Sequence, residues 1–173
     1  FHNAAVFSAD GIAPLTGRAD PWFTSKVLEK KALSYDCETH QIRWQITVNQ
    51  NKEELTGVAV EDPLPDYLRY VAGSFRVDGV EKIPEGNLRC ALGDIGDAVV
   101  ITFATELDVE SGALPGGFDF LKDNTASDPE DKLQIENSAT LVKNEGDPVT
   151  AGGSISIGNT AFDKSSTVRE GDY

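Results

Sequence analysis

Between Gln41 and Asn49 apolar and polar residues alternate without a break. Ile42, Trp44, Ile46 and Val48 fall on one side of an extended chain, and Gln41, Arg43, Gln45 and Thr47 on the other. A period of two is the period of a β-strand, whereas a helix would scatter the same residues around its axis. The segment is therefore read as a strand with one dry face and one wet face. Val58 and Val60 continue the pattern, Leu68, Tyr70 and Val71 open a third run followed by Ser74-Phe75-Arg76-Val77, and Leu133, Ile135, Ala139 and Leu141 alternate again. The stretch from Ala98 to Phe103 is more evenly apolar, as a central strand would be. Chain-reversing stretches separate these runs: Asn49-Gln50-Asn51, Asp62-Pro63-Leu64-Pro65, Val77-Asp78-Gly79 and Gly93-Asp94. No helical stripe exceeds about ten residues. The expected class is all-β, an antiparallel sandwich.

Charge and composition narrow the partners. Fifteen Lys and Arg stand against 29 Asp and Glu in 173 residues, a formal net charge of -14. Such a surface repels phosphate backbones, so no nucleic-acid partner is expected. No apolar run approaches the roughly 20 residues that span a bilayer, and no signal peptide or sorting tail is recognisable, so no membrane insertion is expected in this segment. Methionine is absent, and Phe1 is read as an internal residue of a longer polypeptide.

The two ends echo one another. Asn3-Ala4-Ala5-Val6-Phe7, Pro14-Leu15-Thr16 and Leu28-Glu29-Lys30 reappear as Asn137-Ser138-Ala139-Thr140-Leu141, Pro148-Val149-Thr150 and Phe162-Asp163-Lys164. Asn3 and Asn137, Pro14 and Pro148, and Lys30 and Lys164 are each 134 positions apart. A constant offset without a gap implies a tandem array. The expected organisation is the closing strand of a preceding repeat with its linker over 1–19, a whole domain over 20–145, and a linker with the opening strand of the next repeat over 146–173.

Three polar residues sit where strand parity calls for core. Asp62 has the parity of Val58 and Val60, Asn137 interrupts the series Leu133, Ile135, Ala139, Leu141, and Lys30 lies between Leu28 and Ala32. Burying a lone charge costs several kcal/mol unless it is paired or neutralised. Three such residues of complementary chemistry suggest one constellation. A lysine kept from water loses its proton readily and becomes a nucleophile. A buried carboxylic acid stays protonated and can polarise the Asn137 amide. Attack by Lys30 Nζ would expel ammonia, with Asp62 as general acid and base, once per molecule. Lys31 shares the parity of Val27, Glu29 and Leu33, so parity alone leaves it open as the nucleophile.

These residues carry a family resemblance. Lys30, the run Ile42-Arg43-Trp44-Gln45-Ile46-Thr47-Val48-Asn49, the run Val58-Ala59-Val60-Glu61-Asp62-Pro63-Leu64-Pro65 and the later Ile135-Glu136-Asn137-Ser138-Ala139 resemble the collagen-adhesin-type immunoglobulin-like repeat domain of Gram-positive surface adhesins and pilins. Val71-Ala72-Gly73-Ser74 also fits the broader repeat family in which "D-x-L-P" precedes "V-x-G-S". The resemblance covers about residues 23–143. It implies an immunoglobulin-like sandwich and an intramolecular isopeptide bond between Lys30 and Asn137, promoted by Asp62. By the same offset it implies that Asn3 and Lys164 serve the bonds of the neighbouring repeats. It further implies an extracellular, wall-anchored surface protein. In that oxidising setting a Cys37–Cys90 disulfide is expected, with two buried free thiols as the alternative.

Two functions follow from different classes. One is a structural stalk, a repeat in an adhesin or pilus shaft whose partners are the adjacent repeats of the same chain. The other is a module binding a host extracellular-matrix protein or a glycan. The acidic stretch from Lys122 to Asp131 offers oxygen ligands but lacks the regular spacing of a calcium loop, so it is read as a solvated loop and no metal or cofactor is expected. Tyr67, Tyr70 and Phe75 are read as core packing rather than a contact surface. His2 and His40 lack the context of a catalytic triad or metal site, and no turnover enzyme is expected.

Overall fold

The alternation in the sequence becomes strands at every segment named above. The computed structural model describes residues 3–9, 12–19, 26–109, 114 and 132–158, and the statements below concern those residues. Lys164 and the acidic stretch 122–131 lie outside them. No helix occurs among the described residues. The strands are β1 (Asn3–Ala9), β2 (Ile12–Ala19), β3 (Leu28–Asp36), β4 (Gln41–Val48), β5 (Leu55–Glu61), β6 (Leu68–Tyr70), β7 (Arg76–Val77), β8 (Val80–Glu81), β9 (Cys90–Ile95), β10 (Val99–Leu107), β11 (Lys132–Val142) and β12 (Val149–Gly158).

Two antiparallel sheets form an immunoglobulin-like sandwich. One runs β3-β4-β10-β7-β8, with β6 also paired to β10, and the other runs β12-β11-β5-β9. A separate two-stranded sheet pairs β1 with β2. The central place of β10 explains its even hydrophobicity, because it is bonded to β4 on one side and to β6 and β7 on the other. The inward residues of β4, namely Ile42, Trp44, Ile46 and Val48, are all buried, as are Leu133, Ile135, Ala139 and Leu141 of β11. Between the sheets the Phe75 and Phe103 rings stack with centroids 6.0 Å apart. Phe75 is thus core, and Tyr67 and Tyr70 pack partly buried against it. Trp44 buries its one polar atom safely: Nε1 donates to Thr105 Oγ1 at 2.9 Å.

Local chemistry sets the irregular points. Asn49 holds a left-handed turn (φ 57°). Its side-chain oxygen accepts from the Glu53 N–H at 2.9 Å and its amide nitrogen donates to the Glu53 carbonyl at 2.8 Å. Gly57, at φ 60°, sits where the β5–β9 register slips between Leu55 and Val58, a bulge that a residue with a Cβ would strain. In β3 the pairing with β4 slips between Ala32 and Ser34. Leu33 is the extra residue, and it is about half exposed.

The expected Cys37–Cys90 bridge is not formed: both thiols are free. Cys37 lies exposed in the turn that follows β3, while Cys90 opens β9 at the edge of the other sheet, opposite Val60. A disulfide needs two cysteines brought face to face, whereas here one free thiol sits in the turn after an edge strand of one sheet and the other on the edge strand of the opposite sheet.

Candidate functional site

The three polar residues singled out by parity are all buried. Lys30 lies in β3 opposite Ile46, and its side chain is 0% exposed. Asp62 directly follows β5, with its side chain 1% exposed and its backbone N–H donating to the Asn87 carbonyl at 2.9 Å. Asn137 is in mid-β11, 4% exposed, opposite Gly153 of β12. Lys30 and Asp62 thus come from different sheets, and they meet: Lys30 Nζ donates to Asp62 Oδ2. Lys31 turns the other way and is exposed, so the structure singles out Lys30 of the two adjacent lysines.

Aromatic rings wall the amine. Lys30 Nζ lies 5.1 Å from the Trp44 ring centroid and 5.4 Å from that of Phe103. Ring faces favour a cation, yet the same rings displace water. Burial lowers the Lys30 pKa from 10.5 to about 8, against the opposing charge and hydrogen bond of Asp62. Burial likewise raises the Asp62 carboxyl above its ordinary value, against the Lys30 charge and hydrogen bond. The Asn137 amide acts on Asp62 in the same sense as Lys30 but least of the three. Both shifts move the pair toward a neutral amine beside a neutral acid.

The hydrogen-bond accounting is incomplete at this one place. Asp62 Oδ1, Asn137 Oδ1 and Asn137 Nδ2 are buried with no partner of ordinary hydrogen-bond geometry among the described residues. Each such atom costs about 1–3 kcal/mol, and a native fold that leaves three on neighbouring groups needs a reason for them. The backbone beside Asn137 is held firmly, since the Tyr67 hydroxyl donates to the Glu136 carbonyl at 3.0 Å. Chemically the arrangement sets an amine able to lose its proton, an acid able to keep one, and a carboxamide without a partner of ordinary hydrogen-bond geometry among the described residues, all away from water.

Parity exposed the three polar residues but not the walls around them. Phe103 reaches the amine because β10 pairs with β4 in a register that sets Phe103 opposite Trp44, and that register joins residues far apart in sequence. Asn3 lies in β1, opposite Ala19 of β2. On the outer face of the six-stranded sheet, Gln41, Arg43, Ser74, Arg76 and Thr102 line an open depression of about 390 Å³.

No protein-family model matches the sequence, and no curated protein matches it. Solved structures do resemble the fold. The collagen-binding subdomain of the Enterococcus faecalis surface protein ACE is 15% identical with a TM-score of 0.42, over 79% of this chain and 99% of that one. The collagen adhesin of S. aureus is 11% identical with a TM-score of 0.45, over 90% of this chain and 57% of that one. The major pilin subunit BcpA of Bacillus cereus is 9% identical with a TM-score of 0.40, over 76% of this chain and 39% of that one. The match therefore spans less than two thirds of the last two.

Proposed function

We propose that this chain is a stalk segment of a Gram-positive bacterial surface adhesin or pilus, locked by an amide bond between the side chains of Lys30 and Asn137. The observation that carries the reading is the buried Lys30–Asp62 pair beside an Asn137 amide that has no partner of ordinary hydrogen-bond geometry among the described residues. In the reaction, neutral Lys30 Nζ attacks Asn137 Cγ while protonated Asp62 bonds to the amide oxygen. A new C–N bond forms, and Asp62 relays the proton released by the amine to the departing nitrogen. The bond from Cγ to Nδ2 breaks, ammonia leaves, and Asp62 ends as it began. No cofactor enters the balance. The test is the intact mass: the folded chain is expected to be lighter than its sequence by one ammonia, and a full calculated mass would refute the bond.

The pH dependence follows from the two shifts. Reaction needs the pair to share one proton, in the form of neutral Lys30 with protonated Asp62. Below the raised Asp62 pKa the pair takes up a second proton and the amine stays an ammonium. Above about 8, the lowered Lys30 value, the last shared proton is lost and no acid remains to activate the amide. The rate of ammonia loss is therefore expected to be bell-shaped, falling about tenfold per pH unit on each limb. A rate that keeps rising well above pH 8 would remove Asp62 from the chemistry.

The same reading extends to a tandem array, on a new ground. The β1–β2 hairpin repeats the β11–β12 hairpin in register as well as in sequence: Asn3 faces Ala19 and Phe7 faces Leu15, just as Asn137 faces Gly153 and Leu141 faces Val149. Every one of these pairs is related by the 134-residue offset. Residues 3–19 are thus assigned as the closing hairpin of one repeat. The central unit includes β12 and so runs past residue 145 to Gly158, and Lys164 belongs to the next repeat. A host-matrix or glycan ligand is a second reading, favoured by the open depression bearing Arg43 and Arg76 on an otherwise acidic protein. Saturable binding to a panel of matrix proteins, lost in an Arg43→Ala/Arg76→Ala double variant, would establish it.

A further inference from the structure

We propose that Gly153 is a positioning residue for the Lys30–Asn137 reaction, an inference that rests on the crosslink reading above. Gly153 is the cross-strand partner of Asn137 and lies on the partly buried face of β12, in series with Ala151, Ile155 and Ile157. β12 is the edge of its sheet, β3 is the edge of the other, and the two edges pack against each other. At Gly153 the approach is backbone to backbone. A Cβ placed there would stand 3.0 Å from Lys31 Cα, 3.1 Å from Lys31 N and 3.2 Å from the Lys30 carbonyl carbon.

Those three atoms belong to the main chain that carries the nucleophile. A side chain could swing away from a new methyl group, but this stretch of β3 is tied to β4 by the pairs Lys30–Ile46 and Lys31–Gln45. The strain must therefore separate β12 from β3. Asn137 is paired with β12 at this position and Lys30 sits on β3, so the separation acts on the gap that the amine has to cross. Attack on a carbonyl requires the reacting atoms at about 3–3.5 Å, and displacements of an ångström cost about a hundredfold in rate. The missing Cβ of Gly153 thus sets the approach of the two strands that the reaction joins.

The neighbouring glycine supplies the control. Gly152 faces Ser138, and a Cβ there would meet the Ser138 hydroxyl at 3.4 Å, an ordinary contact. In the first hairpin the position matching Gly153 is Ala19.

The experiment follows ammonia loss by intact mass in the full chain made by cell-free synthesis and sampled over time. Wild type, Gly153→Ala, Gly153→Val and Gly152→Ala are compared, each also in an Asn137→Ala background whose melting reports folding without the bond. Gly153→Ala is expected to slow the loss about tenfold and Gly153→Val about a hundredfold, with the limbs of the pH profile unmoved and with folding retained in the Asn137→Ala background. Gly152→Ala is expected to stay within about twofold of wild type. A Gly153→Ala rate within twofold of wild type, a shifted pH profile, or a variant that does not fold overturns the positioning role alone. A wild-type chain that never loses ammonia overturns both this role and the crosslink.

Discussion

Replacing Asn137 with alanine is expected to leave the chain at its full calculated mass and to lower its melting temperature by about 10–20 °C. The Lys30–Asn137 bond would close a loop of roughly 100 residues, and the loop-closure relation assigns about 4–5 kcal/mol to such a constraint on the unfolded chain. For a domain of this size one kcal/mol moves the melting point by about 2–4 °C. Asn137→Ala is the cleanest probe because it removes two buried polar atoms that have no partner of ordinary hydrogen-bond geometry among the described residues, so the substitution has little else to lose. Lys30→Ala also abolishes the mass loss, but it strips Asp62 of its paired cation and empties the space beneath Trp44 and Phe103. Its melting temperature is therefore expected to fall at least as far. Calorimetry of the three chains decides the matter, and an Asn137→Ala melting point within a few degrees of wild type would contradict a covalent closure.

Substitution of Asp62 by alanine is expected to slow ammonia loss by about 10²–10⁴-fold, the usual range for one general acid–base group. Two effects oppose each other at Lys30 in this variant. Without Asp62 the amine loses the charge and hydrogen bond that hold its pKa up, so burial drives the pKa below 8 and more of the nucleophile is neutral. The Asn137 carbonyl, however, loses the acid that activates it, and the departing nitrogen loses its proton relay. The second effect dominates, because the amine is already substantially neutral near pH 8 in the wild type, which leaves less than tenfold to gain. Asp62→Asn tests the assignment further, since it preserves shape and hydrogen bonding without an acid and is expected to be as slow as alanine. A time course of intact mass measures both. Crosslinking of either variant at the wild-type rate would show that burial of the amine alone is sufficient.

How much of this was readable beforehand depends on the range of the interaction. The run from Gln41 to Asn49 became β4, and Ala98–Phe103 contributed to the central β10, because in both the side-chain pattern is strong and local. β12 carries no such local pattern, because five of the ten residues in Val149–Gly158 are glycine or serine, and glycine weakens any strand signal. Only its ten paired positions along β11 reveal it. The cysteine bridge, expected from the setting that the resemblance implied, was not formed, because spacing in sequence carries no information on which sheet each thiol joins.

Sequence alone determined the all-β class, the faces of the main strands, and the presence of a lysine, an aspartate and an asparagine on faces meant for core. Parity along an extended chain is a property of neighbouring residues, so it needs no knowledge of the rest of the molecule. Tertiary structure decided that Lys30 and not Lys31 meets Asp62, that Trp44 and Phe103 enclose the amine, and that Gly153 lets β12 lie against β3. Those outcomes depend on strand register and on the stacking of two sheets. Both arise from contacts between residues tens of positions apart, whose partners are chosen only when the whole sandwich closes.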